Sequence, residues 1–369
     1  MSKNRELWFA VAMEIPFVVC LHMIIRKLIV GLLSFFLLFI ISCNHPQKSN
    51  EKSESNDSID PVLERLDELN REIRTDSLNS DAFKERAIFY YENEEYNEAL
   101  KDIVSALEID STKAEYFVVI SDVYLGLGKL NLSVMALDKA IELDPDNTKA
   151  YLRMAENSII FRDYKKALDY IDKVIQLNSL ESKAYFLRGV IFLENKDTIR
   201  GIRNFQKAID VNQDYLEAHY QLGMLYALKK NKLAIDYFNN VLNIEPENIE
   251  VLYYLAMFYQ ETDDYENALK IYESIESKEP GFYYATFNIG YIHLVFTKDF
   301  QTAIDYFTKT IEINPDYGEA YYNRGFSYEL LKDVENSRSD YKKTLELLPN
   351  YDKAIDGLNR IDNYLLQQK

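Results

Sequence analysis

The sequence predicts an all-α solenoid of eight helical hairpins with a capping helix at each end. Three observations support this prediction: one unit recurs at a nearly constant period, apolar residues within each unit follow helical spacing, and a polar turn divides each unit into two halves. A solenoid has no single deep core, because each repeat contacts only its neighbours. The length of the chain therefore provides an extended surface and not a large core.

The stretch from Ile249 to Phe282 shows the unit in full. Apolar residues three or four positions apart mark two helices, at Leu252, Leu255, Ala256 and Tyr259 in the first half and at Ala268, Leu269, Tyr272 and Ile275 in the second. Thr262, Asp263 and Asp264 form a polar turn between the halves. Pro280 ends the second helix, because its ring disfavours a helical residue before it.

The unit recurs with small residues at fixed places. In the second helices these residues lie 33 to 35 positions apart, at Ala99, Ser133, Ala167, Gly201, Ala234, Ala268, Ala303 and Ser337. In the first helices the corresponding series is Ala87, Ser121, Ala155, Gly189, Gly223, Ala256, Gly290 and Gly325. Small residues let two helix backbones approach, and we expect bulky side chains to fill the space beside them.

This pattern resembles the tetratricopeptide repeat, in which small residues, aromatic residues and a proline recur with a period of 34. The resemblance implies a right-handed solenoid of eight helix-turn-helix repeats over residues 80–351. It also implies a concave inner surface, formed by the first helices, that holds a peptide of a partner protein. The fifth unit is one residue short and the seventh one residue long, and we expect both changes in the turn between helices.

Both ends of the array have an additional amphipathic segment. Residues 60–79 are predicted to form an N-terminal capping helix with Leu63, Leu66, Leu69 and Ile73 on one face. Residues 352–369 are predicted to form a C-terminal capping helix with Ile355, Leu358, Ile361 and Leu365 facing inward. Capped ends cover the apolar faces that terminal repeats otherwise expose, so we expect a monomer.

Residues 1–42 have the composition of a signal peptide region. The apolar run from Leu28 to Ile41 follows Arg26 and Lys27 and is shorter than the roughly 20 residues that span a bilayer. The residues up to Cys43 resemble a bacterial lipoprotein signal, in which the cysteine is lipidated and becomes the mature N-terminus. Since Met23 already begins a complete signal, we expect translation to start there. The alternative is an uncleaved signal anchor.

Residues 43–59 are predicted to form a flexible tether, because they contain almost no apolar side chains. Removal of Cys20 with the signal leaves Cys43 as the one cysteine, so no internal disulfide is expected. We expect the lipid on Cys43 to hold the protein in the bacterial cell envelope, on the periplasmic face of the outer membrane.

Composition and motifs argue against other classes of function. A formal net charge of −18 disfavours binding to nucleic acid or to an anionic membrane surface. The sequence has none of the metalloprotease, P-loop or serine-hydrolase motifs, so we expect no enzyme activity, metal or cofactor. His219 and His293 occupy positions that hold rings in other units, so we expect both to pack in the core.

The candidate binding site is a second apolar stripe on the first helices of the later units. It comprises Phe186, Tyr220, Gln221, Met224, Tyr253, Tyr254, Met257, Phe287, Asn288, Tyr291, Tyr322, Asn323 and Phe326. We expect the rings to contact a bound peptide and the amides of Asn288, Asn323 and Gln221 to form a ladder that bonds to its backbone. The favoured hypothesis is therefore an interaction scaffold that binds a segment of an envelope protein. The alternative is a module that stacks these tyrosines on a glycan or cell-wall fragment.

Overall fold

The computed structural model describes residues 61–367, in which eighteen α-helices and one short π-helix account for all regular secondary structure. This result confirms the predicted all-α fold class. The predicted signal region, Cys43 and the tether lie outside the described residues. Among the helices of residues 61–367, none has the length and apolar character needed to cross a membrane.

The first of two compact units ends at Gln213 and contains a capping helix and four hairpins. Its helices are α1 (Pro61–Thr75), α2 (Ser80–Glu92), α3 (Tyr96–Ile109), α4 (Ala114–Gly126), α5 (Leu130–Leu143), α6 (Thr148–Ile160), α7 (Tyr164–Leu177), α8 (Ser182–Glu194) and α9 (Thr198–Val211). Within this unit each hairpin packs against the next, as in a solenoid. Helix α1 packs on α2 and buries Leu69.

The second compact unit begins at Asp214 and contains the other four hairpins and the C-terminal helix. Its helices are α10 (Leu216–Leu228), α11 (Leu233–Ile244), α12 (Ile249–Glu261), α13 (Tyr265–Lys278), α14 (Tyr283–Ile292), α15 (Phe300–Ile313), α16 (Gly318–Leu330), α17 (Val334–Leu347) and α18 (Asp352–Gln367). Here too the second helix of each hairpin packs against the first helix of the following one.

Side-chain caps fix where many of these helices begin. The Asn79, Asn147 and Asn248 side chains accept a hydrogen bond from a backbone N–H in the first turn of α2, α6 and α12. Aspartates cap five second helices in the same way, at Asp163, Asp197, Asp264, Asp299 and Asp333. Each such cap stabilises a helix by about 1 kcal/mol, because it satisfies an N–H that has no partner within the helix.

A left-handed residue reverses the chain between the two helices of every hairpin. Gly128 has φ of 69° in the second hairpin, and the other seven positions have φ between 50° and 65°, at Glu94, Arg162, Lys196, Lys230, Asp263, Lys298 and Lys332. In seven hairpins the next N–H donates to a carbonyl five residues back, as Asp163 N does to Ser158 O at 2.9 Å. This is the Schellman arrangement that closes a helix C-terminus.

The small residues of the first helices contact bulky side chains of the second helices. A Cβ placed on Gly189 or Gly223 would lie 2.7 Å from a ring carbon of Phe205 or Phe238, so neither position has room for a methyl group. Residue sizes are matched in seven of the eight hairpins, and the exception is the sixth, which pairs Ala256 with Tyr272. Glycine accompanies an aromatic residue in four hairpins, in the pairs Gly189–Phe205, Gly223–Phe238, Gly290–Phe307 and Gly325–Tyr341. Alanine or serine accompanies an aliphatic residue in three, in the pairs Ala87–Ile103, Ser121–Leu137 and Ala155–Ile171.

We expected the extra residue of the seventh unit in the turn between its two helices. The structure instead places it in the last helical turn of the first helix. Helix α14 ends at Ile292 and continues as a π-helix over His293–Thr297. A π-helical turn contains one more residue than an α-helical turn. Consistently, Asp299 N donates to His293 O, six residues back. The extra residue therefore lies before the left-handed residue Lys298. The chain reversal in this hairpin uses a left-handed residue as in the other hairpins.

Three of the four residues predicted to face inward from the C-terminal helix do so, since Ile361 is buried and Leu358 and Leu365 pack against its cluster. Ile355, expected to face inward, is 39% exposed, whereas Ala354 and Gly357 are buried. The reason is the ring of Tyr341, because a Cβ on Gly357 would lie 2.5 Å from it. Helix α18 therefore turns its small residues toward Tyr341, while Ile361 remains buried as predicted.

We predict that Gly223→Ala lowers the free energy of unfolding by about 1–3 kcal/mol, because its methyl group overlaps the Phe238 ring. Adding Phe238→Leu restores part of this loss, since the pair then has the sizes of Ser121 and Leu137 in the second hairpin. Urea unfolding of the two single variants and the double variant, followed by circular dichroism, measures the coupling. Strictly additive losses would show that the two residues are not matched in size.

Candidate functional site

The predicted site residues are distributed over both compact units. Phe186 lies on α8 in the first unit, where its ring is 7% exposed and 5.5 Å from the ring of Phe205. The other twelve lie on α10, α12, α14 and α16 of the second unit. The second unit therefore contains nearly all of the candidate surface.

Several of these twelve residues are buried and offer little area to a ligand. Exposure is 8% or less at Tyr220, Gln221, Met224, Phe287 and Asn323. The Tyr220 hydroxyl donates to Glu250 Oε1 at 2.9 Å, and its ring lies 6.1 Å from that of Tyr254. These five side chains form the packed layer beneath the surface.

The remaining seven residues are partly exposed. They are Tyr253, Tyr254 and Met257 on α12, Asn288 and Tyr291 on α14, and Tyr322 and Phe326 on α16. Because three consecutive first helices contribute them, they present mainly aromatic side chains at regular intervals. An extended chain placed across the helices would contact several of them.

Two amides of the predicted ladder already donate a hydrogen bond within the fold. Asn323 Nδ2 donates to the Glu319 carbonyl of its own helix at 2.8 Å, and the side chain is 8% exposed. Asn288 Nδ2 donates to the Tyr253 hydroxyl at 3.3 Å, and its side chain is partly exposed. Because Asn323 and Gln221 are buried, we expect recognition at this surface to depend mainly on the rings.

Three inner rings pack edge to face against a ring at the start of the next first helix. The ring centroids are 5.2 Å apart in Tyr253–Phe282, 5.1 Å in Phe287–Tyr317 and 5.2 Å in Tyr322–Tyr351, with interplanar angles of 73°, 78° and 61°. Such pairs contribute about 0.5–1.5 kcal/mol beyond the area they bury. The sequence analysis missed these partner rings. Their signal is an aromatic residue two positions after Pro280, Pro315 and Pro349.

Tyr283 and Tyr284, which the sequence analysis also missed, extend this packing toward solvent. Tyr284 is 41% exposed. Its centroid lies 4.2 Å from that of Tyr283 and 6.1 Å from those of Tyr253 and Tyr317. Ring contacts connect six residues, which we call the aromatic surface: Tyr253, Tyr254, Phe282, Tyr283, Tyr284 and Tyr317.

The aromatic surface is neutral but lies in an acidic environment. Burial raises the pKa of the Tyr253, Tyr254 and Tyr317 phenols, and the nearby Glu250 and Glu319 carboxylates raise it further for Tyr254 and Tyr317 respectively. Burial and the neighbouring Tyr284 raise the pKa of Tyr283 to about 12. These phenols therefore remain protonated near neutral pH. From Asp214 to Gln367 the chain has 26 Asp and Glu residues but only 14 Lys and Arg.

Two hairpins of the first unit have a carboxylate at a position that is apolar or aromatic in the second unit. Asp122 and Glu156 each follow the small residue of their first helix, the position that Met257 and Tyr291 occupy later in the chain. Arg153 pairs with Asp122 at 2.8 Å and with Glu156 at 2.9 Å, and Lys183 pairs with Glu156 at 2.6 Å. Burial favours the neutral acid, yet Arg153 and Lys183 hold the pKa of Glu156 below its usual value. This network is internally neutralised and connects three hairpins.

The described residues contain no cluster of three or more side chains suited to hold a metal. His219 is buried, with Nδ1 3.3 Å from Asn240 Nδ2 and its ring 5.9 Å from that of Tyr237. His293 stacks on Tyr306 at 5.9 Å. His219 therefore lies in the core, as expected from sequence, whereas His293 contacts a ring of the second helix but is only partly buried.

Comparison with known proteins identifies the repeats. Two sequence models described as tetratricopeptide repeat match the chain, one over residues 225–287 and the other over residues 114–147, 283–317 and 318–351. The matches fall on both compact units and coincide with helical hairpins of the structure.

Similar solved structures include a tetratricopeptide repeat protein from Parabacteroides merdae, with 16% identity and a TM-score of 0.45 over 67% of this chain and 98% of that one. PilF from Pseudomonas aeruginosa is 18% identical, with a TM-score of 0.48 over 59% of this chain and 95% of that one. Cut9, from the Cut9–Hcn1 hetero-tetramer of APC/C, is 16% identical, with a TM-score of 0.46 over 81% and 59% of the two chains. Likeness at this level carries no information about function.

Proposed function

Because this chain is a tetratricopeptide repeat protein, we propose that it is an interaction scaffold whose aromatic surface binds an extended, basic peptide segment of a partner protein. Tetratricopeptide repeats are protein-binding modules in general. The specific proposal concerns the place of binding, the chemistry of the partner and the cellular location.

The observation that carries the proposal is the set of six connected rings on α12, on α14 and at the residues just before α14 and α16. Tyrosine offers a large, rigid contact area with few rotatable bonds, so it loses little conformational entropy when it binds. Tyr284 is 41% exposed, and the half-buried Met257 lies on the same helix as Tyr253 and Tyr254. Methionine adapts its shape to different partners. The fold holds these side chains in place and leaves them partly exposed.

Charge complementarity supports a basic partner. Glu250 and Glu319 are close enough to Tyr254 and Tyr317 to raise the pKa of their phenols, and acidic residues outnumber basic ones across the second unit. Lysine and arginine bind the faces of tyrosine rings and also pair with carboxylates. The protein contains an internal example, because Lys353 Nζ lies 6.0 Å from the Tyr322 ring centroid and 5.9 Å from that of Tyr351.

The proposed location is the bacterial cell envelope, with a lipid on Cys43 anchoring the protein to the periplasmic face of the outer membrane. The support is the sequence pattern of residues 1–43 together with the polar composition of residues 44–59. A tether of about sixteen residues reaches roughly 20–25 Å if it is a flexible coil. That distance holds the repeats clear of the lipid while keeping them close to other envelope proteins.

We expect the full-length protein in detergent to bind a fluorescein-labelled peptide of alternating arginine and leucine, and to bind a matched peptide with glutamine in place of arginine much less. Tyr284→Ala is expected to weaken binding about tenfold, which equals about 1.4 kcal/mol, because it removes the most exposed ring of the surface. Fluorescence anisotropy at two salt concentrations measures both effects. Binding should weaken with salt.

The matched control is Tyr364→Ala on α18, because Tyr364 is 43% exposed and lies outside the aromatic surface. Equal affinity of the wild type and Tyr284→Ala would contradict the proposed site. Equal affinity for the arginine and glutamine peptides would contradict the proposed chemistry. Binding of soluble cell-wall glycans that is lost in Tyr284→Ala, without peptide binding, would instead support the glycan alternative.

The lipid anchor has its own test. Cys43→Ser removes the thiol that accepts the lipid, so we expect metabolically incorporated palmitate on the wild-type protein and none on the variant. Ser42→Ala, one residue earlier, is a control that keeps the cysteine. Absence of palmitate from the wild-type protein in washed membranes would contradict the anchor and favour a signal that is not cleaved.

A further inference from the structure

Three hairpins share an arginine immediately before the small residue of the first helix. In the first and eighth hairpins this arginine forms a two-point pair with an aspartate sixteen residues later. Arg86 Nε and Nη2 donate to the two Asp102 oxygens at 2.6 and 2.7 Å. Arg324 donates to the two Asp340 oxygens at 2.8 Å each. Two parallel bonds of this kind give the strongest arginine–carboxylate geometry.

The fourth hairpin has the same arginine but no aspartate. Asn204 stands at the position of Asp102 and Asp340. Its Oδ1 accepts from Arg188 Nε at 2.7 Å, while its Nδ2 donates to the Arg200 carbonyl at 2.8 Å. An amide has one acceptor oxygen and no charge. Asn204 therefore replaces only half of the pair and leaves the guanidinium charge without its usual partner.

Arg188 also lies over the Tyr185 ring, 5.3 Å from its centroid, and its one carboxylate partner among the described residues is weak. Arg188 Nη1 lies 3.3 Å from Asp172 Oδ1, and the Asp172 side chain is 67% exposed. Pairs with so exposed a carboxylate contribute little, because water screens the charges. By contrast, the Asp102 and Asp340 side chains are each 8% exposed. The fourth hairpin thus has an arginine that is positioned like the other two but is only partly neutralised.

Arg188 and Asn204 line an open cavity of about 510 Å³ on the first unit. Arg203 and Lys207 from α9 line it as well, and Asp210 is the one acidic residue in its lining. Helix α9 contains three basic residues against one acidic residue, in a chain whose net charge is −18. The cavity is therefore a basic site on an acidic protein.

We propose that this cavity binds a small oxyanion, a phosphate or a carboxylate, with an oxygen that accepts from Arg188 Nη2. In the other two hairpins the same donor pairs with the second aspartate oxygen, whereas Asn204 accepts only from Arg188 Nε. The guanidinium suits such an anion because it is always charged and presents several N–H donors. Arg203 and Lys207 add positive charge from the same lining. This site lies in the first compact unit and does not depend on peptide binding at the aromatic surface.

The test titrates the full-length protein in detergent with inorganic phosphate and, separately, with succinate, using isothermal calorimetry and the NMR signals of arginine side chains. The wild type is expected to bind one of the two anions saturably. Binding is expected to change the chemical shift of the Arg188 Nε–H group. Asn204→Asp is expected to weaken binding about tenfold or more, because it supplies an internal carboxylate. Arg188→Gln is expected to abolish it.

Asn239→Asp is the matched control, because it adds the same charge at an exposed position on α11 and should leave binding unchanged. Circular dichroism verifies that each variant is folded. Unchanged binding in Asn204→Asp would overturn the proposal, as would an absence of saturable binding of either anion up to about 50 mM, a limit that corresponds to negligible affinity. The response to phosphate and to succinate distinguishes the two anion classes.

Discussion

Every hairpin depends on one contact, in which a small residue on the first helix packs against a bulky side chain on the second. This contact lets the two helix backbones approach each other closely. The two sizes are matched in seven of the eight hairpins: glycine accompanies a phenylalanine or tyrosine ring in four, and alanine or serine accompanies an aliphatic side chain in three. At Gly189 and Gly223 a single methyl group has no room. Because interiors pack at nearly crystalline density, each pair fixes the spacing of its hairpin, and the left-handed turn residue then fixes where the second helix begins.

This contact occupies one face of each first helix and leaves the inner face free to vary. In the first unit that face holds Asp122, Arg153, Glu156 and Lys183, which neutralise one another. In the second unit it holds rings that pack edge to face against the start of the next first helix. One fold thus supports a polar, internally paired network in one unit and an aromatic surface in the other.

Periodicity was sufficient to predict the fold, because a hairpin is defined by residues within about 34 positions of one another. The site was only partly predictable. Sequence identified the inner rings Tyr253, Phe287 and Tyr322, but spacing along one helix does not show which of them a neighbouring hairpin covers. Phe287 is buried by Tyr317, a residue that lies outside the helical pattern, before the start of α16. Ile355 was assigned to the wrong face for a similar reason. The Tyr341 ring of the preceding hairpin packs against the small residues of α18, and this contact cannot be read from the spacing along α18.

The central claim is that the aromatic surface of the second unit contacts a basic segment of a protein partner. Its most direct test is site-specific photocross-linking of the lipidated protein in cells that produce it, with p-benzoylphenylalanine at position 284 or at the similarly exposed position 364. We expect position 284, and not position 364, to give a discrete cross-linked protein. The cross-link should lie in a peptide of that protein that is rich in lysine or arginine. The same products from both positions, or adducts to glycan only, would contradict it.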